Sequence, residues 1–260
     1  MKDWNNRELI FVRSKGGVLI VSHPYDNLIR DNIFPWPPSE IIQKLYKSKH
    51  TKVFEKEDMA TSQQGLGYYC DLQSIHSEDA ITWSVFGPVA LSQPIVRNKW
   101  ISDLFSLCGL RYSAAKHSEI FLWRRVPHPD TLVQGGPEID FGIVTDETVV
   151  LGEAKWNSKI AEGQGKQKDK NQIELRSDFL HKYGQTVFPG CKRFGVLVVS
   201  LLEQEFYRKA AIANVPTIST TWDRVCSIQS HPRFEELQRY LEWKKENNKE
   251  CRTYRAMLVK

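Results

Sequence analysis

The chain has 260 residues, 41% of them apolar and 26% charged, and a net charge of +5. It is long enough to bury a core unaided and too apolar for wholesale disorder, and its mild positive charge permits a nucleic-acid partner without requiring one. The scattered Cys70, Cys108, Cys191, Cys226 and Cys251 form no CxxC, which argues against structural zinc and for reduced thiols in a cytoplasmic compartment.

Glu8 to Val12 and Val18 to Ser22 read as short strands around a Ser14-Lys15-Gly16-Gly17 turn. Prolines 24, 35, 37 and 38 break the following stretch, and Ser39 caps a helix from Glu40 to about Lys47. Residues 48 to 75 are polar, contain Gly65 and Gly67, and read as loop or linker. Ser77 with Glu78 and Asp79 forms a helix start, and the helix passes Trp83 and Phe86 before Gly87-Pro88 interrupts or kinks it. A second helix covers Val96 to Leu107. Ile139 to Val144 and Val149 to Trp156 read as a β-hairpin about the turn Thr145-Asp146-Glu147-Thr148. Asn171 to Tyr183 is helical, Phe194 to Ser200 a buried strand, Glu203 to Ala213 a helix, Val215 to Thr220 a strand, and Phe234 to Lys249 a final amphipathic helix. This order predicts an α/β fold with a central mixed sheet flanked by helices. The N-terminus lacks a signal-peptide pattern, and the apolar run from Val196 to Leu202 is too short to span a bilayer, so no membrane partner is expected.

The chemistry concentrates on the hairpin. Glu153-Ala154-Lys155 is an ordinary triplet by itself, but it ends the apolar run Val149-Val150-Leu151-Gly152, and residues two apart on a strand share a face. Gly152 and Ala154 then leave the opposite face flat, suited to a closely packed helix. Counting outward from a turn centred on Asp146-Glu147 sets Asp140 across from Glu153. Two carboxylates in that register have Cβ atoms roughly 5 Å apart and repel. A divalent cation removes that cost, and hard carboxylate oxygens suit Mg²⁺ or Mn²⁺, with Lys155 beside the bound water. The competing reading is an ordinary cross-strand salt bridge on a surface hairpin.

Pro137-Glu138-Ile139-Asp140 followed by Leu151-Gly152-Glu153-Ala154-Lys155 resembles the PD-(D/E)xK nuclease superfamily. The resemblance implies a restriction-endonuclease-like core over residues 71–260, including the C-terminal helix, with residues 1–70 as an accessory region. It implies a Mg²⁺-dependent endonuclease hydrolysing DNA phosphodiester bonds, with Asp140 and Glu153 as metal ligands and Lys155 at the attacking water. Glu78 matches the glutamate that many members carry on the preceding helix, as a further metal ligand. Gln172 matches the glutamine some carry in a QxxxY pattern, although this chain has Arg176 at the final position, and Ile139 separates Pro137 and Glu138 from Asp140. An RNA-directed nuclease, or a non-catalytic nucleic-acid-binding or assembly module on the same fold, remains open, as does a second copy or a partner protein.

Lys159, Lys166, Lys168 and Lys170 follow the ExK strand, where phosphate contact competes with an ordinary solvated loop. Lys166, Lys168, Lys170 and Arg176 are the expected nucleic-acid contacts. Arg176 lies one turn after Gln172, so the two share a helix face. Gly165-Lys166 fails as a P-loop, because Ile160 occupies the first glycine position and Gln167 the Ser/Thr position.

Overall fold

The computed structural model describes residues 1–13, 18–47, 70–110, 115–129, 136–158, 160, 170–202 and 214–249. The chain divides into two compact units, Met1–Pro88 with Arg233–Lys260, and Val89–Pro232. This is not the division at residue 70 that the sequence suggested: the C-terminal helix belongs with the N-terminal segment. The reason lies in aromatic packing and side-chain pairing between those two segments, described next.

In the first unit, β1 (Phe11–Arg13) and β2 (Leu19–Val21) pair antiparallel, followed by a 3-10 turn at Pro24–Asn27 and helix α1 (Ser39–Lys47). A second 3-10 turn at Asp71–Gln73 leads into α2 (Glu78–Ala90). Ser77 caps α2, its hydroxyl accepting from the Ala80 amide at 3.0 Å. The helix continues through Gly87-Pro88 instead of stopping there. Pro88 lies in its last turn, where one missing N–H costs little further structure. Gly87 is needed for packing, since a Cβ there would stand 2.7 Å from the Trp83 ring. The final helix, here α6 (Phe234–Asn248), is fastened to the chain start. Trp4 meets Tyr240 and Trp243 edge-on, its Nε1 donates to Glu236, and Trp243 Nε1 donates to the Lys2 carbonyl.

The second unit is a mixed α/β layer structure around one five-stranded sheet. Its helices are α3 (Pro94–Leu107), α4 (Gln172–Val187) and the short α5 (Trp222–Cys226). Its strands are β3 (Ser118–Arg125), β4 (Glu138–Thr145), β5 (Thr148–Lys155), β6 (Arg193–Ser200) and β7 (Thr217–Thr221), and they lie in chain order across the sheet. β3, β4 and β5 run antiparallel, whereas β5, β6 and β7 are parallel. The parallel half contains the sequence's most continuous apolar runs, as strands covered on both faces require. Every residue of β5 is buried. Ile173, Phe179 and Leu180 of α4 pack over Val149, Leu151, Val196 and Val198. Asn171 caps α4 reciprocally, accepting from the Ile173 and Glu174 amides while Glu174 accepts from the Asn171 amide.

Three details differ from expectation. β3 is an edge strand where the sequence suggested no element; its apolar centre is short and its end is Arg124-Arg125. The face beside Gly152 is not left flat for a helix: the cross-strand Phe141 ring covers it, and a Cβ on Gly152 would come within 2.2 Å of that ring. The proposed helix from Glu203 to Ala213 and the turn at 14–17 lie outside the described residues. No helix among the described residues is long and apolar enough to cross a membrane.

Candidate functional site

The β4–β5 ladder pairs Phe141 with Gly152, Gly142 with Leu151 and Val144 with Val149. The paired register ends at Phe141 and Gly152, and Asp140 and Glu153 are the next residues along the two strands. The geometry of the end is set by a backbone contact: Asp140 Oδ2 accepts from the Ala154 amide at 2.8 Å. Asp140 is half-buried, whereas Glu153 is fully buried and Lys155 nearly so. On the other side of β4, the ladder with β3 pairs Leu122 with Phe141 and Arg124 with Ile139, skipping the intervening position. Trp123 occupies that place at φ +53°, a left-handed conformation that costs a non-glycine residue of order 1–3 kcal/mol. Local backbone strain therefore lies directly across from Asp140.

Glu153 is surrounded by charge. Lys155 Nζ stands 2.7 Å from Oε1, and Arg176 Nη2 makes an ion pair with Oε2. Arg176 also donates from Nη1 to the Gln172 carbonyl at 3.0 Å and from Nη2 to the Glu138 carbonyl at 2.8 Å. Both Glu153 oxygens meet these cations at ion-pair distance without a well-aligned hydrogen bond among the described residues. Burial pushes the Glu153 carboxyl up, to about 7; the Arg176 charge opposes the rise, Asp140 adds to it and Lys155 opposes it. Trp222 Nε1 donates to the Lys155 carbonyl at 2.9 Å and backs the end of β5.

Arg176 is the residue whose role sequence reading missed. It was expected at a phosphate, but it is fully buried with its guanidinium against Glu153. The signal was present in the pattern: Arg176 falls in the apolar stripe of α4 between Ile173 and Leu180, at helical spacing. A charge in such a stripe requires a buried partner. Gln172 is the first residue of α4, half-buried, and its carbonyl rather than its amide is what the site uses. Lys170 forms an ion pair with Asp178, and Lys166 and Lys168 lie outside the described residues.

Glu78 begins α2 in the first unit, where its charge acts on the buried Lys244. Asp140, Glu153 and Lys155 all belong to the second unit. Among the described residues no group of three or more His, Cys, Asp or Glu side chains is placed to hold a metal ion. Asp140 and Glu153 form a pair of hard oxygen donors, which is the number Mg²⁺ commonly takes from protein while keeping its waters. The buried Glu153 oxygens, held by charge without aligned donors, fit a cation as partner. In comparisons with protein-family models, curated proteins and solved structures, no match was found.

Proposed function

We propose that the chain is a metal-dependent nuclease with a restriction-endonuclease-like core, cleaving phosphodiester bonds of DNA. The observation that carries this reading is the meeting of Asp140 and Glu153 just beyond the paired β4–β5 register, where Asp140 accepts from the Ala154 amide, with Lys155 on the same face of β5 and the Glu153 carboxylate buried. Two carboxylates at the end of a buried strand raise each other's cost, and Lys155 and Arg176 offset that cost at Glu153. When bound, Mg²⁺ or Mn²⁺ would polarise a phosphoryl oxygen and lower the pKa of a water. Asp140 and Glu153 would hold the cation, and Lys155 would orient an attacking water or steady charge developing on the phosphate. Arg124 and Arg125 are exposed at the end of β3, Arg125 in an ion pair with Glu138, and place guanidinium groups at the same end of the sheet, where a phosphate backbone is attracted.

The test is incubation of the purified chain with plasmid, single-stranded DNA and RNA, in Mg²⁺, in Mn²⁺ and in EDTA. Cleavage of DNA in metal, its loss in EDTA, and its loss in Asp140→Asn, Glu153→Gln and Lys155→Ala support the reading. Undiminished cleavage in excess chelator contradicts it. One observation favours a second reading: Glu153 already has two cations on it, as a non-catalytic nucleic-acid-binding module on this fold would retain. Nucleic acid retained without cleavage in every metal selects that alternative.

A further inference from the structure

The two cations on Glu153 are not equivalent. Arg176 is fully buried, and its two carbonyl acceptors and its ion-pair partner belong to the first turn of α4, to β4 and to β5, so one guanidinium fastens three elements together. Withdrawing it removes donors from two carbonyls and strips a buried carboxylate of its counter-charge, both costly in a low-dielectric interior. Lys155 reaches Glu153 from two residues along the same strand, with 10% of its side chain exposed. Its flexible stem lets the ammonium swing toward water while the methylenes stay packed.

A divalent ion on Glu153 would repel both cations, and of the two only Lys155 is partly exposed and so able to yield. We infer that Arg176 is a positioning residue that stays on Glu153, and that Lys155 is the cation that gives up its oxygen when a divalent ion binds between Asp140 and Glu153. This inference rests on the metal site of the nuclease reading and adds an order of events. Lys155 leaves the carboxylate only when the ion arrives, so the ammonium is delivered to the attacking water only in the loaded site.

The direct test is nuclear magnetic resonance of wild-type protein with ¹³C,¹⁵N-labelled lysine and arginine, titrated with Mg²⁺ and assigned with Arg176→Lys and Lys155→Arg. The Lys155 Nζ and Cε resonances should move with saturation, while the Arg176 guanidinium protons keep their shifts and slow exchange. Calorimetry should show that Lys155→Met, which removes the competing ammonium without changing side-chain length greatly, binds Mg²⁺ roughly tenfold more tightly than wild type. Arg176 resonances that move while those of Lys155 stay, or a Lys155→Met variant that binds no tighter, would overturn the order. If Asp140→Asn abolishes Mg²⁺ binding in that case, the metal site stands and only the order fails. If wild type binds no Mg²⁺, or Asp140→Asn and Glu153→Gln bind it as well as wild type, the metal reading and this inference fall together.

Discussion

Arg176 occupies an apolar helix stripe and shares with Lys155 the charge of the buried Glu153 carboxylate. Replacing one member of such a pair strands the other. Arg176→Met is expected to destabilise the chain by roughly 3–5 kcal/mol, whereas Glu153→Met with Arg176→Met should recover most of the loss. Urea denaturation of the two single variants and the double measures this coupling, and additive losses would show that the pair is not energetically linked. Asp140 and Glu153 were legible from the sequence because hairpin register follows from the turn, and a turn of four residues leaves little freedom. The burial of Arg176 was legible from its place in the apolar stripe between Ile173 and Leu180. Its partner was hidden because the docking of a helix on a sheet is a long-range fact that periodicity does not encode.

The β4–β5 hairpin owes its close fit to aromatic rings laid across glycines on alternate strands. Phe141 covers Gly152, and Phe121 covers Gly142, where a Cβ would come within 2.0 Å of the ring. Phe141 is fully buried and has no room to retreat. Gly152→Val should therefore cost about 1–3 kcal/mol by overpacking, and more if the strand ends shift. Adding Phe141→Leu should return part of the loss. Thermal melting of the pair checks this, and an unchanged Gly152→Val variant would mean the ring moves freely. Because Gly152 immediately precedes Glu153, the same strain should reach Asp140 and Glu153, and Mg²⁺ affinity offers a second readout. At this scale helices with caps were legible, as Ser77 and Asn171 show, because a cap is a local hydrogen bond. β3 was not. Its regular pairing is interrupted at Trp123, whose left-handed backbone a sequence pattern does not announce. The interruption expected at Gly87-Pro88 does not occur, because Pro88 falls in the last turn of a helix that runs on to Ala90.

The division into two units was the least legible feature, because nothing local in Phe234 to Asn248 announces that Trp4 will pack on it. It also gives the molecule two opposite responses to acid. In the first unit, burial pushes the His76 imidazole down, to about 4, and the Lys244 charge adds to the fall. The unfolded chain takes its proton near 6.5, so His76 contributes stability that is complete above that value and is lost as pH falls toward 4. The shift corresponds to no more than roughly 3 kcal/mol. Lys244, fully buried with Nζ donating to the Ile75 carbonyl, is held well below its usual range by burial and favours the alkaline side as well. In the second unit the sign is reversed. Glu153 titrates near 7 in the folded chain and near 4.5 unfolded, so its contribution is complete below 4.5 and vanishes as pH rises through 7. Between about pH 7 and pH 5 the first unit should therefore loosen while the second tightens. Amide hydrogen exchange at the two pH values, corrected for intrinsic rates, should show protection lost in α2 and α6 and gained in β4, β5 and α4. His76→Gln should flatten the response of the first unit alone, and Glu153→Gln that of the second alone. Protection that falls equally in both units would show that neither group governs its unit's stability in this window.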